Sequence, residues 1–193
     1  MVKISIAQRY GGTGVMIPNR LTAVLLTLML VVTINSCGGN SMNATKGLSE
    51  FSKLIEQGKL GDTSLTIYYM SPYTFTLYPY SVNDLISSLQ GDKIVVSGSS
   101  LVEHIDLFSM LTSEVVTPVE HKSYIDARIY YAFENSKGRK IFDVVMWGGD
   151  DNSMFVNGTE VKGNNVFCQA IIPFLPEDAA RELEKYMNRS RRE

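Results

Sequence analysis

Cysteine and histidine are scarce in this chain, with two of each in 193 residues. His104 and His121 do not form a His-x-x-x-His pair, so nothing in their spacing implies a bound metal, and no motif implies a cofactor. The two cysteines, Cys37 and Cys168, allow a single disulfide in an exported protein. The apolar run Leu21 to Ile34, "LTAVLLTLMLVVTI", falls short of the roughly 20 residues that a membrane-spanning helix needs. "GGTG", Gly11 to Gly14, lacks the following Gly-Lys-Ser/Thr of a phosphate loop and reads as leader sequence.

Acids are absent from the first 36 residues, which hold Lys3, Arg9 and Arg20. Beyond them fifteen Lys and Arg face twenty Asp and Glu, a net charge of −5. Such a body has no electrostatic reason to bind nucleic acid, which needs clustered cations to displace counterions. The one basic cluster, "NRSRRE" with Arg189, Arg191 and Arg192, reads as a frayed terminal tail.

What is present in the leader is the layout of an export signal. Arg20 precedes the apolar run, and small Ser36 stands at its exit. Translation starts at Met1 or at Met16, the latter giving a shorter charged region, "MIPNR". Ile34-Asn35-Ser36-Cys37 resembles a bacterial lipobox: an aliphatic residue, a tolerant position and a small residue before a cysteine. The resemblance implies that residues 1–36 are a signal peptide cut after Ser36, and that Cys37 carries a diacylglyceryl group and an acylated amino terminus. Several acyl chains, at about 0.8 kcal/mol per buried CH2, anchor stably where one would be marginal. Residues 37–46, "CGGNSMNATK", then read as a lipidated flexible tether, with a single domain at 47–193 and Cys168 left as a buried small hydrophobe. In gut-type Bacteroidetes lipoproteins an acidic stretch after the cysteine accompanies surface export. Gly38, Gly39 and Asn40 carry no acid, so the resemblance implies an outer-membrane protein facing the periplasm.

The domain reads as α+β, an antiparallel sheet with helices packed mainly on one face. "LSEFSKLIEQ" places Leu48, Phe51, Leu54 and Ile55 at helical spacing, with Gly58 beyond. "SLTIYYM" and "FTLYPY" read as two strands turned at "SPY". Ser81 caps a short helix over "SVNDLISSLQ", "KIVVSG" reads as a buried strand, and "SSLVEHIDLFSMLT" lines Leu101, Ile105, Phe108 and Leu111 along one helical face. "YIDARIYYAFE" and "KIFDVVMWG" form a meander across "NSKGR", Asn157-Gly158 suits a type I′ hairpin, and "PEDAARELEKYM" is a terminal helix with Ala179, Leu183 and Met187 inward.

The functional expectation is a non-catalytic binding or assembly domain, with the membrane as one partner through the lipid and an envelope protein or glycan as another. Tyr68, Tyr69, Tyr73, Tyr78, Tyr80, Tyr130 and Tyr131 are a candidate binding platform, although strand alternation sends Tyr68 and Tyr69, and Tyr130 and Tyr131, to opposite faces. The competing expectation is an envelope hydrolase acting on peptidoglycan, glycan or peptide through paired carboxylates among Glu103, Asp106, Asp150 and Asp151. "SGSSL", Ser97 to Leu101, lacks the second glycine of a nucleophile turn and reads as a capped helix start.

Overall fold

The computed structural model describes residues 39–119, 124–147 and 153–190. Residues 1–38, including the lipobox-like stretch Ile34-Asn35-Ser36-Cys37, and His121, Asp150 and Asp151 lie outside the described residues. The described chain builds one antiparallel sheet of six strands in the order β2-β1-β3-β4-β5-β6. The strands are β1 (Thr63–Tyr69), β2 (Asp92–Ser97), β3 (Ala127–Asn135), β4 (Lys140–Trp147), β5 (Ser153–Val156) and β6 (Thr159–Lys162). The helices are α1 (Gly39–Glu56), α2 (Val82–Ser87), α3 (Gly98–Val102), α4 (Ile105–Ser109), α5 (Asn165–Gln169) and α6 (Glu177–Ser190). This is the α+β architecture expected from the sequence.

Period-two alternation decides which side of the sheet each residue serves. Leu65 and Ile67 of β1, Tyr131 and Phe133 of β3, and Phe142 and Val144 of β4 point to one face and are buried. Leu48 and Phe51 of α1, Leu101 of α3, Phe108 of α4, Phe167 of α5 and Leu183 of α6 complete the core there. Its centre is aromatic: Phe51 lies 4.5 Å from Phe133 and 5.0 Å from Phe142, centroid to centroid. Each such pair adds about 0.5–1.5 kcal/mol beyond its buried area. Among the described helices only α2 packs on the reverse face, where Leu85 joins Met70, Val145 and Phe155.

Local chemistry explains the element ends. Ser81 and Asp84 form a reciprocal capping box at α2. Asn157 and Gly158 take φ of 48° and 72°, the left-handed conformation that the tight β5–β6 turn requires. Gly98 starts α3 where an added Cβ would stand 2.1 Å from the Gly61 carbonyl oxygen. Glycine in "SGSSL" therefore serves close backbone packing, while Ser97 and Ser99 stay exposed with their hydroxyls hydrogen-bonded to each other at 3.1 Å.

Four expectations change. Residues 39–46, read as tether, are the first turns of α1, because burial of Ala44 on the core outweighs the poor helix propensity of Gly, Ser and Asn. "FTLYPY" is an irregular loop rather than a strand. The helix expected over 99–112 breaks at Glu103–His104 into α3 and α4, though Leu101, Phe108 and Leu111 remain fully buried. "KIVVS" is the edge strand β2 rather than a buried one, with Val96 inward and Val95 63% exposed.

Candidate functional site

The seven tyrosines do not pave one surface. Tyr69 and Tyr131 belong to the core: the Tyr131 hydroxyl donates to the Phe167 carbonyl at 3.1 Å, and that of Tyr69 donates to Glu182 Oε2 at 3.0 Å. Burial, reinforced by the bond to Glu182, raises the Tyr69 pKa, and burial raises that of Tyr131. Tyr68 and Tyr130 pair on the reverse face with centroids 6.1 Å apart, both half-buried. Burial and the nearby Asp143 carboxylate raise the pKa of Tyr130, whose hydroxyl donates to Asp143 Oδ2 at 3.3 Å. Tyr73, Tyr78 and Tyr80 sit in the loop between β1 and α2, where Tyr80 is half-buried and stacks 5.8 Å from Tyr78.

That loop carries the more informative residues, and Phe75, Leu77 and Tyr78 among them belong to the stretch expected to be a strand. Phe75 and Leu77 are 88% and 91% exposed, beside Tyr78 at 63% and Tyr73 at 46%. Leu89 and Tyr124 are exposed as well. Monomeric proteins rarely leave such apolar surface to water unless something docks on it.

The loop is held in this outward pose by a buried cation. Arg128 on β3 is 4% exposed; its Nη2 donates to Asp126 Oδ2 and to Thr76 Oγ1, both at 2.8 Å, while Nη1 pairs with Asp126 Oδ1. Both ends of the loop are tied to the same short segment. The Met70 N–H donates to the Arg128 carbonyl at 2.7 Å, and the Tyr80 N–H donates to Asp126 Oδ1 at 2.9 Å. Arg128 also faces the Tyr80 ring, 5.8 Å from its centroid. Thr76 thus points inward to the guanidinium, and its neighbours Phe75 and Leu77 point out.

A second concavity, about 480 Å³, lies at the opposite end of the sheet, between α1 and the β3–β4 and β5–β6 turns. Lys46, Glu50, Arg139, Lys140, Asp143 and Asn157 line it. Both acids are already paired, Glu50 with Arg139 and Asp143 with Lys140, which leaves one net positive charge and no nucleophile–base pair.

Of the four carboxylates considered for catalysis, the structure describes Glu103, just past α3, and Asp106 on α4; both are exposed and neither lines this groove. His104 packs edge-on against Phe174 at 5.0 Å. Among the described residues no group of three His, Cys, Asp or Glu is placed to hold a metal. Cys168 is buried, with its sulfur 3.5 Å from Met146 Sδ, and burial pushes its thiol pKa up to about 12. That is opposite to the shift a nucleophilic thiolate requires. No helix among the described residues is long and apolar enough to cross a membrane. No protein-family model matches the chain, and neither a curated protein nor a solved structure matches it.

Proposed function

We propose that the protein is a lipid-anchored component of the bacterial cell envelope whose α+β domain works by binding, with the loop Tyr73–Tyr78 as its docking surface. The observation that carries this reading is the outward pair Phe75 and Leu77 on a loop clamped by Arg128, Asp126 and Thr76. A clamped loop loses little conformational freedom on binding, so its exposed apolar area is available to a partner at small entropic cost. Attachment rests on the lipobox-like Ile34-Asn35-Ser36-Cys37 and the acid-free leader. In this reading a lipid on Cys37 holds the domain at the outer membrane, on its periplasmic side.

Crosslinking in intact cells, followed by purification of the tethered full-length chain, tests the binding role. An envelope protein or a second copy recovered with the wild type, and diminished with Phe75→Asp/Leu77→Asp, is the expected result. Recovery of nothing, together with hydrolysis of peptidoglycan or peptide by the purified chain, overturns the reading.

A further inference from the structure

The backbone of the docking loop indicates what kind of surface covers it. Among the described residues no backbone N–H or C=O from Phe75 to Pro79 is hydrogen-bonded. Inserted into lipid, those groups would lose water and gain no partner, which strongly disfavours a hydrocarbon environment. A polypeptide edge can satisfy them while covering Phe75 and Leu77, as in strand addition.

The chain itself offers such an edge. Among the described residues β2 ends the sheet with no strand neighbour on its outer side, whereas the other edge, β6, is covered by residues 117–119. There the Val119 N–H donates to the Glu160 carbonyl at 3.1 Å and the Lys162 N–H to that of Thr117 at 2.8 Å. An edge lysine usually obstructs pairing. Here Lys93 Nζ lies over the Tyr68 ring, 5.5 Å from its centroid, and Val95 is left 63% exposed.

Charge favours the same match. The stretches 71–83 and 94–102 contain no Asp, Glu, Lys, Arg or His. On a body with a net charge of −5, these neutral strips are where two copies approach with least repulsion.

Building on the docking-loop reading, we infer that the occupant is a second copy of this chain, whose β2 edge takes up the segment Phe75–Tyr78. Tyr69 at the end of β1 pairs with Asp92 at the start of β2, so loop and edge lie at the same end of the sheet. Two copies related by a two-fold axis then exchange loops reciprocally and close into a dimer.

The test uses two differently tagged full-length copies expressed together, one Leu77→Cys and one Val95→Cys, treated with a short bis-maleimide that joins two thiols without redox chemistry. Both positions are exposed, and Cys168 is buried and does not compete. A mixed-tag adduct above that of copies lacking the added cysteines is expected. Its absence while both copies accumulate normally, or adducts only between two Leu77→Cys copies, overturns the inference. As a second measurement, detergent-solubilised full-length Val95→Lys and Leu77→Asp should each dimerise about tenfold more weakly than wild type by sedimentation equilibrium. Mixing them restores one intact loop–edge contact and should recover dimer; no recovery counts against reciprocal exchange. Capture of an unrelated protein through Leu77 removes the second copy as occupant but leaves the docking role standing.

Discussion

Four groups, the buried Tyr69, Tyr131 and Cys168 and the half-buried Tyr130, make the fold sensitive to alkali. Each keeps its proton to a higher pH in the folded chain than in the unfolded one, where thiols and phenols titrate near pH 8.5 and 10. Above about pH 9 the unfolded state therefore binds fewer protons, and stability falls as pH rises toward 12. Urea midpoints measured from pH 7 to 11 should decline above pH 9; a flat profile would count against this burial. At Gly98 an alanine Cβ would meet the backbone of Gly61 and Thr63, so Gly98→Ala should cost about 2–3 kcal/mol in chemical denaturation. The Asn157-Gly158 turn was legible in the sequence because positive φ is a property of those residues themselves. The roles of Phe75 and Leu77 were not, since alternating Thr with Phe and Leu reads equally as a strand or as an extended loop with its apolar side chains outward. What distinguishes the two is Arg128, some fifty residues away, and no local pattern announces that partnership.

Each element shows where tertiary packing overrides local preference. The run 99–112 keeps its helical hydrophobic spacing yet breaks at Glu103–His104, because Leu101 and Phe108 reach the same core from two short helices. α6 was readable from the acids of its first turn to the stripe of Ala179, Leu183 and Met187, although the helix runs on to Ser190, into residues expected to form a tail. That stripe docks on the core, and Glu182 on the same helix accepts from Tyr69 and Ser71. Leu183→Ala should thus lower stability by about 2–4 kcal/mol, since it empties a fully packed position. The loop between β1 and α2 depends on a different support. Arg128→Met removes its central clamp and leaves Asp126 and Thr76 without that donor, at a cost of about 2–3 kcal/mol. Hydrogen exchange should show faster exchange at Met70 and Tyr80, whose amides hold the loop ends, than in wild type. Unchanged exchange there would mean that the clamp does not set the loop's pose.

The whole molecule is polarised. Charged residues line the groove beside the hairpin turns, and Tyr73, Phe75, Leu77 and Tyr78 are exposed on the loop that leaves β1 at the other end of the sheet. The α+β class was readable from strand and helix periodicities taken together, whereas this polarity was not, because it arises from sheet order and from one buried ion pair. If Cys37 carries the lipid, Cys37→Ala should abolish palmitate labelling and release the protein from the membrane fraction; unchanged labelling would remove the anchor from the account. The docking role is separable from the anchor and most directly tested by a photo-crosslinking amino acid placed at Leu77 in the full-length chain, in intact cells, with exposed Lys59 as the comparison position. The account predicts a discrete protein adduct at Leu77 and none at Lys59. Equal labelling at the two positions, or no adduct at Leu77, would contradict it.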